Sequence, residues 1–241
     1  MALSLVGVVT AGAAWYFLIR ENAELASDPP QIPAALLNAT ATPTSAASTA
    51  GSTATTAPAP SAAVAYQVKS DLSEAAYFVD EELASVGIPS TAKGATKEVS
   101  GTLYLTGDGT ALAADQTSSF TVQLRNLTSD KSMRDQRVQQ ALETSRYPTA
   151  TFTITNASGY NPAIAEGQAQ TLQLSGNLQL HGVTKPVTWE VKAFRQGNVI
   201  SSLATVTVKF SDFNITPPTF QGLLSISDQA TLQVQLIAQS A

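Results

Sequence analysis

Residues 172–193 read LQLSGNLQLHGVTKPVTWEVKA, and this stretch decides the fold. Leucine or glycine occupies every second position of residues 172–180, and apolar residues alternate again over 187–193. Successive side chains of a β-strand face opposite sides of the sheet, so each run has one apolar and one polar face. The intervening residues 181–186, HGVTKP, contain the glycine and proline of a connection. The stretch therefore predicts two long antiparallel strands that are buried on one face only.

The same two-residue period recurs along the chain on both sides of this hairpin. It runs through residues 99–105, 120–125, 151–155, 204–210 and 232–238. Turn signals, Gly107-Asp108-Gly109 and Gly197-Asn198, separate several of these runs. Seven or eight such strands indicate an all-β sandwich or barrel. The length of the strand at 172–180 favours a closed antiparallel β-barrel, because closure leaves no exposed edge.

One segment has the 3.6-residue spacing of a helix instead. Residues 130–145 read DKSMRDQRVQQALETS, with Val138, Ala141 and Leu142 on one face and Asp130 as the expected N-cap. Because its other faces are polar, we predict one short helix that lies over an end of the barrel.

The N-terminus differs from the rest of the chain because it contains a long apolar run. Residues 2–19 carry no charge and end in Trp15, Tyr16 and Phe17, followed by Arg20. Eighteen apolar residues reach the length of a membrane-spanning helix, and aromatic residues favour its interface. We predict a transmembrane anchor or signal segment over residues 1–20. An anchor is favoured, because no basic start or small-residue cleavage site accompanies the run.

Residues 21–65 are rich in Ala, Thr, Ser and Pro and predict a flexible linker. No charged residue occurs between Asp28 and Lys69. Such a composition offers too little apolar surface to offset the entropy of ordering. We therefore expect a tether that holds a single barrel domain, residues 66–241, clear of a membrane. The barrel would lie outside the cytoplasm, or be secreted if the N-terminal segment is cleaved.

The composition excludes several classes of function. The formal net charge is −5 and only 13% of residues are charged, which argues against nucleic-acid binding. The chain has no cysteine, so disulfides, thiolate nucleophiles and zinc–thiolate sites are excluded. A single histidine, His181, lies in the predicted turn, where a structural role is expected. We predict no catalytic residue, metal site or cofactor.

Three stretches carry a resemblance to a known family. They are SMRDQRVQQALETSRYPTATFTIT at 132–155, GNLQLHGVTKPVTWEVKAF at 176–194 and FSDFNITPP at 210–218. In order and spacing the chain resembles the YceI-like family of polyisoprenoid-binding proteins over about residues 66–239. It departs from the family pattern near the start of the barrel. There Asp80-Glu81-Glu82 stands where apolar and histidine residues are usual, and we interpret these carboxylates as a solvated acidic loop or edge.

The resemblance implies an exported, lipocalin-like barrel that encloses a long isoprenoid chain and is not an enzyme. On this basis the inward apolar side chains are expected to contact the lipid. They are Val122, Leu124, Leu142, Phe152, Ile154, Leu178, Leu180, Val187, Trp189, Val206, Val208 and Phe210. Arg134 and Asp135 match a family motif and are expected either to clamp the helix to the barrel or to contact a lipid head group.

Two functions follow as alternatives from the sequence. The first is a membrane-anchored carrier or reservoir for an isoprenoid lipid such as a quinone or polyprenol. The second is a packed barrel displayed on a membrane stalk for an interaction partner, because eight-stranded barrels are either filled or hollow. The residues alone leave this choice, the identity of the lipid and the oligomeric state open.

Overall fold

The computed structural model describes residues 23–37, 63–83, 88–218 and 224–240, which form twelve strands and two α-helices. The strands are β1 (Val64–Val68), β2 (Glu74–Leu83), β3 (Ile88–Thr96), β4 (Val99–Leu105), β5 (Ser119–Gln123), β6 (Thr128–Ser129), β7 (Thr149–Ser158), β8 (Gln170–Leu180), β9 (Val183–Gln196), β10 (Val199–Lys209), β11 (Leu224–Ile226) and β12 (Gln229–Ser240). The helices are α1 (Ala34–Leu37) and α2 (Ser132–Ala141), with 3₁₀ turns at Ser70–Leu72 and Ser211–Phe213.

Eight of these strands close into an antiparallel barrel in the order β1-β4-β5-β7-β8-β9-β10-β12, and β12 pairs back with β1. The predicted hairpin forms β8 and β9, which pair along their whole facing length from Gln170↔Ala193 to Leu180↔Val183. Closure is set by Tyr66↔Ser240 between the first and last strands. The prediction of an all-β antiparallel barrel with one short helix is confirmed for the described residues.

The last strand has two partners on one edge. Its N-terminal half pairs with β2 and its C-terminal end with β1, so β2, β3 and β6 extend the wall at that side. Where the partner changes, the buried Ser73 hydroxyl accepts the Ile237 N–H at 3.1 Å and donates to the Lys69 carbonyl at 2.7 Å. The hydroxyl thus satisfies a backbone group that neither strand reaches.

Helix α2 is shorter than predicted and begins differently. It spans Ser132–Ala141, and its N-cap position is Lys131, which makes no side-chain capping bond. The predicted cap, Asp130, is wrong, because its carboxylate pairs with Arg134 one turn along the helix. The helix lies beside β6 at one end of the barrel.

Residues 23–30, which the sequence places in a flexible linker, lie against the outside of the barrel. The Ala26 N–H donates to Gln233 Oε1 at 2.8 Å, and Gln233 Nε2 donates to the Ala26 carbonyl at 3.0 Å. The Ser201 hydroxyl donates to the Pro30 carbonyl at 2.5 Å. Over residues 23–30 the structure differs from a free tether, because polar side chains on the barrel wall satisfy the backbone of this part of the predicted linker.

We call residues 23–30 the strap. Its Asp28 pairs with Lys192, and the Ala23 N–H donates to the Thr91 carbonyl at 3.3 Å. The strap therefore contacts strands β3, β9, β10 and β12. Outward-facing side chains along its route are almost fully buried, at 0% exposure for Ser201 and 5% for Gln233.

The predicted transmembrane segment lies within residues 1–22, outside the described residues, as do residues 38–62 of the predicted linker. No helix in the part of the chain that the structure describes has the length and apolar character needed to span a bilayer.

We expect Gln233→Ala to destabilise the barrel, because it leaves the N–H and carbonyl of Ala26 without their partner. Loss of partners for buried polar groups costs about 1–3 kcal/mol in the free energy of unfolding. Urea denaturation followed by circular dichroism measures this change. Gln235→Ala, the same substitution two residues along the same face, is the control. Equal effects of the two substitutions would contradict docking of the strap.

Candidate functional site

The interior of the barrel contains a cavity of about 620 Å³. Its wall consists of inward side chains from the barrel strands and from helix α2. Nine of the side chains predicted to contact a lipid line it, namely Val122, Leu124, Leu142, Phe152, Leu178, Leu180, Trp189, Val208 and Phe210. The barrel is therefore hollow, which the packed-barrel alternative does not predict.

Three predicted lining residues, Ile154, Val187 and Val206, pack in the hydrophobic core and do not line the cavity. Ile154 and Val187 both pair with Gly176. A Cβ atom at Gly176 would lie 2.8 Å from the Phe152 ring, so this ring occupies the space on the cavity side. Val206 pairs with Leu232, whose side chain lines the cavity in its place.

Strand β2 contributes cavity residues that the sequence did not reveal. Ala75, Tyr77, Val79 and Glu81 line the cavity at every second position. The signal was present but hidden, because the outward Phe78 between them is also apolar and is only 4% exposed. A strand that is buried on both faces loses the alternation from which the other strands were predicted.

The cavity extends between two ends of the barrel that differ in character. We call the end that carries α2, the His181–Gly182 turn and residues 210–215 the helix end. We call the opposite end, with loops 106–118 and 159–169, the loop end. Tyr160 and Ile164 line the cavity at the loop end and are 39% and 36% exposed.

The helix end holds one ion pair of the cavity wall, whereas Arg195 and Glu166 form another at the loop end. Glu81 Oε2 lies 3.5 Å from Arg134 Nη2, and both side chains line the cavity. The other terminal nitrogen of Arg134 pairs with Asp130. Burial raises the pKa of the Glu81 carboxyl, and the Arg134 guanidinium acts in the opposite direction. Burial also raises the pKa of the nearby Tyr77 hydroxyl, which therefore remains a neutral donor.

The predicted solvated acidic loop or edge at residues 80–82 is part of strand β2, where Asp80 and Glu82 are exposed as predicted and Glu81 is not. Strand alternation turns Glu81 inward, where its side chain is only 11% exposed. The Asp80 carboxylate faces the other side and accepts a hydrogen bond from the Thr91 hydroxyl at 2.9 Å. A single residue of the acidic run thus enters the cavity wall.

Arg134 and Asp135 have different surroundings. Asp135 Oδ1 accepts the N–H and the hydroxyl of Ser129, at 2.7 and 2.6 Å, which joins α2 to strand β6. Arg134 joins α2 to β2 through Glu81 and also reaches the cavity. Asp135 is placed as a clamp, whereas Arg134 is placed both to clamp the helix and to meet a ligand.

His181 occupies the predicted turn between β8 and β9, with a positive φ of 51°. Its Nδ1 lies 3.0 Å from the Phe213 carbonyl, and its ring packs edge-on against Tyr147 with centroids 4.9 Å apart. These contacts join the hairpin to the segment after β10. Within the described residues, no group of three His, Asp or Glu side chains could hold a metal ion.

Trp189 is the largest side chain in the cavity wall. It is 6% exposed, and its ring centroid lies 5.8 Å from that of Phe152. Its buried indole N–H has no hydrogen-bond acceptor among the described residues. A buried donor of this kind is costly unless a partner arrives, so a ligand atom that accepts a hydrogen bond would be favoured beside it.

Two solved structures share this barrel. A polyisoprenoid binding domain from Saccharophagus degradans superposes with a TM-score of 0.58 at 17% identity, covering 74% of this chain and 99% of that domain. Burkholderia cenocepacia BcnA gives a TM-score of 0.54 at 19% identity, covering 71% of this chain and 99% of its own. At these identities the likeness shows the fold.

Sequence comparisons identify the family. Curated proteins named Protein YceI from Salmonella arizonae and Salmonella heidelberg are each 32% identical over 162 residues, covering 64% of this chain and 78% of theirs. A family model for the YceI-like domain matches residues 66–238, which contain every strand of the closed barrel except the first two residues of β1 and the last two of β12. The chain therefore belongs to the YceI-like family, as its motifs indicated.

Proposed function

We propose that this chain binds a long-chain isoprenoid lipid, a quinone or polyprenol, in the cavity of its barrel. In this proposal the barrel works outside the cytoplasm, at a membrane to which the N-terminal apolar segment anchors it. The observation that carries the proposal is the apolar cavity of about 620 Å³, which extends from the helix end to the loop end.

The cavity suits an elongated apolar ligand. Its volume lies in the range of small-molecule sites, about 300–1,000 Å³. Burial of apolar surface contributes about 25 cal/mol per Å² before the costs of association, so a long hydrocarbon chain gains several kcal/mol. The structural neighbour from Saccharophagus degradans is described as a polyisoprenoid binding domain, which supports an isoprenoid as the ligand class.

The charges at the helix end favour a head group without net charge. Arg134 is already paired with two carboxylates, those of Glu81 and Asp130. A diphosphate head group beside this pair would therefore meet the carboxylate of Glu81 as well as the guanidinium, and two like charges about 4 Å apart repel by about 4 kcal/mol at an effective dielectric of 20. A hydroxyl or quinone oxygen avoids this repulsion and can bond to Arg134 or Tyr77.

We expect an isoprenoid to co-purify with the full chain and to be lost when the cavity is filled. The added ring of Ala150→Phe would occupy the cavity, whereas Thr149→Phe places the same ring on the outer face of β7. Mass spectrometry of an organic extract should find about one isoprenoid per chain in wild type and in Thr149→Phe, and little in Ala150→Phe. Circular dichroism checks that both variants fold.

Two results would contradict this proposal. In the first, the wild-type chain yields no isoprenoid and stays empty after incubation with vesicles that contain polyprenol. In the second, Ala150→Phe folds and retains as much lipid as wild type, which would place the lipid outside the cavity.

We expect Glu81 to select against anionic head groups. Geranylgeraniol and geranylgeranyl diphosphate have the same apolar chain. The ratio of their dissociation constants therefore measures the contribution of the head group to binding. Glu81→Gln should strengthen diphosphate binding by about tenfold, which corresponds to about 1.4 kcal/mol, and change alcohol binding little. In a Trp15→Phe background, the fluorescence of Trp189 reports binding at the cavity wall.

Glu82→Gln is the matched control, because it removes the same charge from the neighbouring residue on the opposite face of β2. If both substitutions alter the ratio equally, the selection is a long-range effect of net charge. If neither alters it, the head group does not lie near Glu81.

A further inference from the structure

The strap has a defined direction on the barrel wall. Ala23 contacts Thr91, which pairs with Asp80 near the helix end. Ala26 then contacts Gln233 further along β12, and Pro30 contacts Ser201 near the start of β10 at the loop end. The chain thus enters at the helix end and runs toward the loop end.

The apolar run ends close to the point where the strap begins. Residue 19 is the last of the uncharged stretch, and Ala23 already contacts the barrel. Four residue steps span at most about 14 Å, at about 3.3–3.6 Å each. The link between a membrane anchor and the barrel is therefore short, in contrast to a tether of more than forty residues.

The loop end lies beyond this reach. Gln229 of β12 is level with Asp80, because Thr231 pairs with Phe78, and Ser240 lies at the loop end. The eleven steps from Gln229 to Ser240 cover about 36 Å along the strand, or about 28 Å along the barrel axis at a tilt of about 40°. This distance is about twice the length of the link.

We propose that the strap holds the barrel on the membrane with its helix end against the lipid bilayer. The inference rests on the membrane anchor of the proposed function. The occupant of this surface is the bilayer that contains residues 2–19, and the attachment is covalent and short rather than electrostatic. Residues 38–62 follow the strap in the chain, so they do not lie between the apolar run and the first contacts with the barrel.

This orientation brings the Glu81–Arg134 ion pair of the cavity wall to the lipid source. Glu81 and Arg134 line the cavity at the helix end. Met133, the residue before Arg134, is 54% exposed on α2 and would face the bilayer. The exposed apolar side chains of the loop end, Tyr160 and Ile164, would face away from it.

Single cysteines test the orientation, because the chain contains none of its own. Full-length Met133→Cys and Ile164→Cys proteins are labelled with an NBD fluorophore and reconstituted into phosphatidylcholine vesicles. Quenching by lipids with a nitroxide on the head group then measures the distance of each label from the surface. We expect at least about threefold stronger quenching at position 133 than at position 164.

Loosening the strap should remove the difference in quenching between positions 133 and 164. In a Ser201→Ala, Gln233→Ala background, the two labels should be quenched to similar extents, whereas Gln235→Ala should preserve the difference. Stronger quenching at position 164, or equal quenching with the strap intact, would overturn the orientation. Protein that fails to float with the vesicles would overturn the anchor itself, while lipid in the organic extract would still support the binding function.

Discussion

The closed ring of eight strands is the constraint on which the rest of the structure depends. Closure fixes the diameter of the barrel, and at eight strands the interior is wide enough either for packed side chains or for one ligand. Small inward residues decide between these outcomes here. Ala75, Ala150, Ala193 and Ala204 line the cavity. The space that larger side chains would fill at these positions remains open.

This dependence explains how much the sequence could predict. The hairpin at 172–193 and the inward positions of its large apolar residues follow from a period of two, which is a local property. The existence of a cavity does not follow from such a pattern. It depends on which alanines of distant strands meet across the barrel, and therefore on the register that closure imposes. Nine of the large residues that line the cavity were accordingly predicted, whereas Tyr77 and Val79 of β2 and the alanines were not.

The sequence analysis missed two elements, the strap and strand β2, because each is ordered or buried by contacts that are distant in sequence. The strap gains its order from side chains of the barrel, chiefly Gln233 and Ser201, which satisfy its backbone. Its own sequence therefore lacks any periodic signal. Strand β2 lost its alternation for a different reason, because Phe78 on its outer face, with the Lys93 ammonium 5.8 Å from its ring centroid, is only 4% exposed.

The position of the strap affects how a lipid would move from the bilayer into the cavity. Moving a chain of about twenty carbons from a bilayer into water costs about 16 kcal/mol, at about 0.8 kcal/mol per methylene. A barrier of that size slows exchange through water by more than about ten orders of magnitude, at about 1.4 kcal/mol per factor of ten. A barrel on a long flexible tether would face this barrier whenever its opening left the surface. In the proposed orientation a short link keeps the helix end of the cavity at the bilayer, and a lipid that entered there would pass from membrane to protein without exposing its apolar surface to water.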